Sequence, residues 1–592
     1  GALRDKALKA AKREVDLVPC KYACPAEVDV PRYISLLSEG KFSEAAAIIR
    51  EKLPLPNVLA HACSRLCEKV CRRREINEEA ISICGLKRFA MENDAEIWKQ
   101  KLEVAKPTGK KVAIIGSGPA GLSAAYYLAR LGHSVTIFEA MPKPGGMMCY
   151  GVQEYRLPKE IVEKDMREIV NLGVEIKTSV VFGKDLTIEA LKREGFDAVL
   201  VAVGLQTSRK LKVEGADLAG IVGGLDFLRD IRLGETTSLG GRVLVIGGGN
   251  VAMDAALTAL RLGASDVKAV CLEKAEEMPA FLWEIQQALE EGVKIHNSYG
   301  VKRILGKDSR VAAVELMRCL SVFDKEGRFN PTFDESQTMT MEADMLILAI
   351  GQAANLSWQT TNQLRISGLG MVEVNPPTME TSVPGVFACG DIVKGPASIV
   401  EALASGRQAA FAIDKYLGGT GALEDRFVEF EKPNPWLGKM EKFSYKQQVQ
   451  MPCLPVEKRR GNFSEVELGY DEKMTREEAS RCLRCDLRLQ IRQAPQPPEK
   501  WLLLKEENLA AVSETEGVYQ LLNEKKETIY IKGTVNLRKE LEQQLATNTK
   551  AKYFIHEEAK MYTMRESELL QQYIKRHGKM PEQNIEIEED LY

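Results

Sequence analysis

The stretch KKVAIIGSGPAGLSAAYYLARLGHSVTIFEA, Lys110 to Ala140, decides the fold. Val112–Ile115 reads as a short buried strand, and the alanine- and leucine-rich run after the turn reads as a helix packed close to it. The turn itself is Gly116-x-Gly118-Pro119-Ala120-Gly121. A second strand, Val135–Phe138, ends in Glu139, close to where the fingerprint places its acid relative to Gly116. Together these make the full fingerprint of a dinucleotide-binding unit. Gly116 makes the turn, Gly118 lets a pyrophosphate approach the backbone, and Gly121 brings helix and strand together. Glu139 takes the ribose hydroxyls, and the helix N-terminus offers its dipole to the phosphates. The alternative is a vestigial fold of the same shape.

Further along, GRVLVIGGGNVAMDAALTALRLGASDVKAVCLEK repeats the whole pattern, with Gly247-x-Gly249-Asn250-Val251-Ala252 at its turn. Two such folds in one chain imply two nucleotides, one a fixed flavin and one an exchanging nicotinamide. The segments between them supply further candidates. Gly145-Gly146 would sit beside the flavin, and Arg156-Leu157-Pro158 opens a helix. FDAVLVAVG and ADMLILAIG are buried strands ending at Gly204 and Gly351. GVFACGDI returns to the first fold, where Gly390-Asp391 suits flavin ribityl or phosphate contacts. The fold class is α/β, with two nested Rossmann-like domains.

With 592 residues, several domains are expected. Lys and Arg number 81 against 84 Asp and Glu, a net charge of −3, which does not suit broad nucleic-acid or anionic-membrane binding. No apolar run reaches the ~18–20 residues a membrane span needs. The segment GALRDKALKAAKREVD reads as a charged helix rather than a signal peptide, so a cytoplasmic chain is expected. Thirteen cysteines, several clustered, then point to metal or redox chemistry rather than to structural disulfides.

Those cysteines gather first in a helical N-terminal region: Cys20-x3-Cys24-Pro25, then Cys63-x3-Cys67-x3-Cys71, then Cys84. Cys-Pro beside closely spaced cysteines suits iron–sulfur ligation. Six cysteines fill one four-ligand site with two left over. The missing pair stands far away, at Cys482-x-x-Cys485 in TREEASRCLRCDLR, which completes two [4Fe–4S] clusters. The alternatives are zinc, or free core cysteines on one helix face, since 63, 67 and 71 repeat every four residues. Cys453 stands alone.

Residues 421–500 carry Pro and mixed charge with little periodicity, and read as an extended strap returning Cys482 and Cys485 to the cluster domain. QAPQPPEKW, Gln493–Trp501, is a linker by composition. Residues 505–592 then form a separate small α/β module.

From about residue 15 to about residue 490 the chain resembles the family of the glutamate synthase small subunit, well beyond one domain in length. Its relatives include the large subunit of NADH-dependent ferredoxin:NADP oxidoreductase and the N-terminal part of dihydropyrimidine dehydrogenase. The resemblance rests on GSGPAGLSAAYYLARLGHSVTIFEA, GGMMCYGVQEYRLPKE, GGGNVAMDAA, EMPA and GVFACGDI. It implies a helical two-cluster domain over 1–105 and an FAD domain over 106–235 and 351–420, interrupted by an NAD(P) domain over 236–350. It also implies hydride transfer between nicotinamide and flavin, with single electrons passed through the clusters and no side chain acting as acid or base. One cluster would use Cys20, Cys71, Cys482 and Cys485, and the other Cys24, Cys63 and Cys67. The family often supplies a Glu as the last ligand, where this chain has Lys87, which cannot ligate iron; Cys84, one turn earlier, can.

NADPH-dependent relatives carry Arg-Arg after the second strand of the nucleotide domain. Here the strand reads Val270-Cys271-Leu272-Glu273-Lys274, and Glu273 falls where an acid bonds a 2′-hydroxyl and repels a 2′-phosphate. NAD(H) is therefore favoured over NADP(H), although Lys274 and nearby arginines could hold the phosphate. The resemblance further implies redox partner subunits, flavin or iron–sulfur proteins that include ferredoxin-linked ones, and electron bifurcation in the complex. The other readings are a glutamate synthase small subunit and a scaffold with inert cofactors. The C-terminal module resembles the GIY-YIG nuclease fold through Gly517-Val518-Tyr519, Tyr530-Ile531, Arg538 and Glu566. The family's Gly-Lys is inverted here to Lys532-Gly533 and the tail IEIEEDLY is acidic, so a docking role is expected rather than nuclease activity.

Overall fold

The computed structural model describes residues 18–429, 443–486 and 501–584. The charged N-terminal helix, most of the linker and the acidic tail expected above lie outside the described residues. Contacts divide the chain into two units, Gly1–Leu487 and Arg488–Tyr592.

In the first unit, two five-stranded parallel sheets carry the architecture. The first runs in the order Val386–Ala388, Ala198–Val201, Lys111–Ile115, Ser134–Phe138, Glu175–Lys177. The second runs Ile221–Gly223, Met345–Leu348, Arg242–Ile246, Asp266–Cys271, Lys294–Asn297. After Lys111 and Arg242 their central strands are apolar because both faces are covered, and in the second sheet helices cover one face and the strands between Tyr299 and Glu342 the other. Each fingerprint loop sits at the C-terminal end of a central strand, where ligands bind in such sheets. The first sheet draws a strand from after the second sheet, so one fold interrupts the other in sequence. Thr207–Ser208 pairs with Gln352–Ala353 where the chain enters and leaves the insertion.

A three-stranded antiparallel sheet, Tyr299–Lys307, Arg310–Phe323 and Phe329–Glu342, rises from the insertion. Nothing in the motifs anticipated it. Within the N-terminal region the helices Val30–Glu39, Phe42–Arg50 and Ile83–Glu92 share one apolar core with the first sheet, from Ala26 through Leu122 to Cys389. The region expected to be an extended strap contains the helix Glu472–Ala479, capped by Asp471 accepting from the Met474 N–H at 2.7 Å. The Glu478 carboxylate fixes it by accepting the N–H groups of Ser82 and Val449, both at 2.8 Å, and by pairing with buried Arg481 at 2.7 Å. This helix carries Cys482 to the N-terminal helices.

The second unit is a four-stranded antiparallel sheet in the order Leu502–Leu503, Tyr553–Glu558, Gly517–Leu522, Thr528–Thr534. Helices Leu537–Thr547 and Tyr562–His577 complete it, around Tyr519, Leu521, Leu537 and Phe554.

Candidate active site

The first loop is built by backbone conformations that exclude side chains. Gly116 lies at φ +105°, and a Cβ there would sit 2.5 Å from the Ala202 carbonyl. A Cβ on Gly121 would fall 2.0 Å from the Gly116 oxygen, so helix Pro119–Arg130 begins hard against the turn. Pro119 is its first residue, where a missing N–H costs nothing. Ala120 is buried beside Gly406 of the long helix Ile399–Tyr416. Above Gly118 the space is open, with no atom within 4 Å of a Cβ.

Glu139 stands at the end of the second strand as expected. Its Oε2 accepts from the Ser117 N–H at 3.0 Å and hydroxyl at 2.5 Å, and its Oε1 from the Met141 N–H at 2.8 Å. The Gly145 N–H donates to the same Ser117 hydroxyl at 2.9 Å. Ser117 therefore ties Glu139 to the Gly145-Gly146 turn, a role the fingerprint hides because it lets this position vary. A Cβ on Gly146 would meet the Gly118 Cα at 2.7 Å, and the Gly390 N–H donates to the Ser405 hydroxyl at 3.1 Å.

Flavin dinucleotide fits this cradle. The open face of Gly118, the helix N-terminus and Asp391 converge there. Asp391 has a buried Oδ1 with no hydrogen-bond partner among the described residues, and burial pushes its pKa up to about 6. A ribityl hydroxyl would supply the missing donor.

The second loop repeats the construction. Gly247 lies at φ +140° with the Ala349 carbonyl 2.3 Å from its Cβ position, Gly249 is open, and Ala252 is buried beneath the turn. Asn250 turns its Oδ1 to the Phe281 N–H at 2.9 Å, and the Ala280 N–H donates to the Gly248 oxygen at 3.1 Å. The segment around EMPA is thereby folded onto the loop. The Glu273 Oε2 comes within 2.8 Å of a Cβ built on Gly248, so the acid stands over the glycine turn.

This loop opens into a cleft of about 1150 Å³. Gly247, Gly249, Val251, Glu273 and Gly351 line one part of it, Arg156 and Asp391 another, and Cys63, Ser64 and Arg65 a third. Arg156 is committed to the wall, paired with Asp254 at 2.9 Å and Glu284 at 2.7 Å. Burial pushes Glu284 up to about 7 and raises Asp254 as well. Gly204 and Gly351, at φ +64° and +112°, turn the chain away just beyond the strands Ala198–Val201 and Met345–Leu348.

The eight clustered cysteines fall into two electrostatic neighbourhoods. Burial raises Cys20, and its thiol neighbours are Cys482, Cys71 and Cys485. Burial raises Cys67 too, with Cys63 and Cys24 beside it, while the Cys84 thiol lies near the Cys63 sulfur and donates to the Ala60 oxygen at 3.5 Å. Cys63, Cys67 and Cys71 do not share a helix face. Cys67 lies in the short helix Leu66–Lys69, entered through Arg65 at φ +53°, and Cys71 lies past its end. Among the described residues no three His, Cys, Asp or Glu groups stand close enough to grip a single metal ion. A four-iron cluster is wider and holds its thiolates farther apart. Aromatic contacts bind this region to the nucleotide loop: Arg65 lies 4.6 Å over the Trp283 ring, and Lys69 lies 5.1 Å over Phe281.

In the second unit Tyr519, Lys532, Arg538 and Glu566 each have a partner within the unit. The Tyr519 hydroxyl donates to Glu540 at 3.3 Å, and Lys532 pairs with the same carboxylate at 2.9 Å. Arg538 donates to the Val512 oxygen at 2.7 Å and pairs with Glu514 at 2.8 Å. The Glu566 carboxylate accepts the Gly533 N–H at 2.9 Å.

A second dinucleotide loop that opens into a cleft shared with Met147 and Asp391 of the first fold, with Cys63 of a cysteine-rich region on its wall, suits a flavin-dependent reductase of pyridine nucleotides. The family described as "Pyridine nucleotide-disulphide oxidoreductase" matches residues 110–406, and "Dihydropyrimidine dehydrogenase domain II, 4Fe-4S cluster" matches residues 2–98. The chain is 38% identical over 505 residues to the NADP(+)-dependent formate dehydrogenase subunit beta of Moorella thermoacetica, covering 79% of this chain and 70% of that one. It is 36% identical over 506 residues to the NADPH-Fe(3+) oxidoreductase subunit beta of Geobacter sulfurreducens, covering 79% and 75%. It is 32% identical over 422 residues to the glutamate synthase [NADPH] small chain of Escherichia coli, covering 67% and 88%. The chain belongs to the pyridine nucleotide-disulphide oxidoreductase family, and is an NAD(P)H-dependent FAD and iron–sulfur oxidoreductase with an electron-transfer role. No described helix is long and apolar enough to cross a membrane.

Proposed function

We propose that this chain takes hydride from NADH and delivers single electrons, through two [4Fe–4S] clusters, to a partner subunit. The observation that carries this reading is the cleft wall, where the second loop, Asp391 and Cys63 face one space. Bound flavin supplies the exchange between hydride and single-electron chemistry. The chain's own residues position the reactants. Gly247 makes the turn, Gly249 presents open backbone to a pyrophosphate, Glu273 receives the ribose hydroxyls, and Arg156 with Asp254 and Glu284 stiffens the wall. Cys63, Cys67, Cys24 and Cys84 would hold the cluster nearer the cleft, and Cys20, Cys71, Cys482 and Cys485 the second. The support for these sets is the way the thiols divide into two groups of four.

NADH is read from Glu273 in this chain, although all three relatives carry NADP or NADPH in their names. A carboxylate over the glycine turn repels a 2′-phosphate. Two of those relatives are named as beta subunits and one as a small chain, which supports a redox partner here. Bifurcation of electrons within that complex belongs to the same proposal. The C-terminal unit is read as a GIY-YIG-like module serving to dock the partner, because Tyr519, Arg538 and Glu566 are bound internally. The test is anaerobic reduction of the purified flavoprotein. NADH should bleach the flavin at least tenfold faster than NADPH at equal concentration, and the reverse order would overturn the nucleotide assignment.

A further inference from the structure

One cation in the cysteine-rich region is explained neither by nucleotide binding nor by ligation. Lys87 sits three residues after Cys84 on helix Ile83–Glu92, so both side chains share a face. Its side chain is buried, at 7% exposure. A buried ammonium is costly without an anion beside it. Among the described residues no carboxylate forms an ion pair with Lys87. The four strongest charge partners of its ammonium are Cys63, Cys84, Cys67 and Cys24, the four thiols of one set.

The other charges around this set are already engaged. Arg65 pairs with Glu467 at 2.7 Å. Glu68 accepts the Cys84 N–H at 2.8 Å, and burial pushes its carboxyl up to about 6. Lys87 is thus the cation left facing the sulfurs. Around the second set Arg484 and Arg72 are paired with Asp486 at 2.9 Å and with Glu75 at 3.1 Å, and buried Arg73 near Cys71 donates to the Phe443 and Lys446 oxygens at 2.8 and 3.1 Å.

We infer that Lys87 is a positioning residue of electrostatic kind, which raises the reduction potential of the cluster held by Cys24, Cys63, Cys67 and Cys84. This rests on the reading that these four thiols hold a cluster. A four-iron cluster with four thiolates is an anion in both of its working states, and each reduction adds one electron and one negative charge. A fixed ammonium in a water-poor setting favours the more negative state. Charge near a cluster is one of the quantities that set its potential. The consequence is directional: the cluster beside the cleft becomes the better acceptor for an electron leaving the flavin. Lysine fits this task where the family resemblance has a ligand, because Cys84 has taken over ligation one turn earlier and leaves position 87 free to carry charge.

The experiment is an anaerobic redox titration of the full-length holoprotein followed by electron paramagnetic resonance, comparing wild type, Lys87→Gln and Lys87→Arg, with iron and sulfide measured on each. Lys87→Gln should keep both clusters and lower the potential of one by at least 59 mV, a tenfold change in its reduced-to-oxidised ratio for one electron. The other potential should stay in place, and Lys87→Arg should restore most of the shift. Two intact clusters with unmoved potentials in Lys87→Gln would overturn the inference. Wild-type protein with only one cluster, formed without the Cys24 set, would instead overturn the ligand reading beneath it. If Lys87→Gln loses a cluster on purification, Lys87→Arg decides: a potential close to that of wild type supports the charge role, and one lowered by the full tenfold ratio contradicts it.

Discussion

The two units of this chain differ in what they leave open around their candidate site residues. In the first, some groups around the loops are left available: Gly118 and Gly249 face open space, and the Asp391 Oδ1 is buried without a partner among the described residues. In the second, Tyr519, Lys532, Arg538 and Glu566 each bond a neighbour within the unit. A site built to receive a ligand keeps unsatisfied donors and acceptors that the ligand completes. A scaffold turned to another use satisfies them itself.

Four substitutions sharpen or break this contrast. The largest effect is expected at Cys84, whose thiol contacts Cys63. Cys84→Ala should remove one cluster, so that iron per chain falls by about half, from about eight. Unchanged iron and an unchanged spectrum would return the last ligand position to another residue.

Next is Glu284 in the cleft wall, whose side chain is 4% exposed and whose carboxyl is raised from 4.5 to about 7 by burial. A carboxyl raised in the folded state favours folding while protonated, and that contribution fades as pH rises from 4.5 through 7. Wild-type stability should therefore fall over this range by up to ~3 kcal/mol more than that of Glu284→Gln. Thermal melts at several pH values check it, and parallel slopes for the two proteins would contradict it.

Glu273→Arg follows. It should lose at least tenfold in reduction by NADH and gain similarly with NADPH, each about 1.4 kcal/mol. An unchanged ratio would show that Glu273 is only a solvated charge at a strand end.

The smallest effect belongs to the second unit. Glu566→Ala removes the acceptor for the Gly533 N–H and should cost about 1 kcal/mol of local stability, with no change in NADH-dependent reduction. Metal-dependent nicking of plasmid DNA by wild type that disappears in Glu566→Ala would erase the contrast between the units.

Much of the first unit was legible in the chain because its chemistry is local. A strand, a glycine turn, a helix and an acid within about 30 residues specify one geometry, and Gly116, Gly121 and Glu139 stand where that geometry puts them. What was not legible depends on distant partners. The antiparallel strands from Tyr299 to Glu342 expose one face, and their mixed polarity resembles a loop until they pair. Helix Glu472–Ala479 is short and mostly charged, and is held by Glu478 against Ser82 far back in the chain. Arg156 reads as a cofactor contact beside the flavin turn, yet it binds Asp254 and Glu284, which belong to the inserted nucleotide fold far along the chain. Lys87 reads as a departure from a ligand position, and only the fold shows it buried on the helix face of Cys84.

The central claim is that electrons entering from a pyridine nucleotide reach both sets of cysteines. It is tested most directly by anaerobic titration of the purified full-length protein with NADH, recording flavin absorbance and electron paramagnetic resonance together. The account predicts uptake of about four electrons per chain, two at the flavin and one at each of two distinguishable clusters. Bleaching of the flavin with no cluster signal, in protein that contains its full iron, would contradict it.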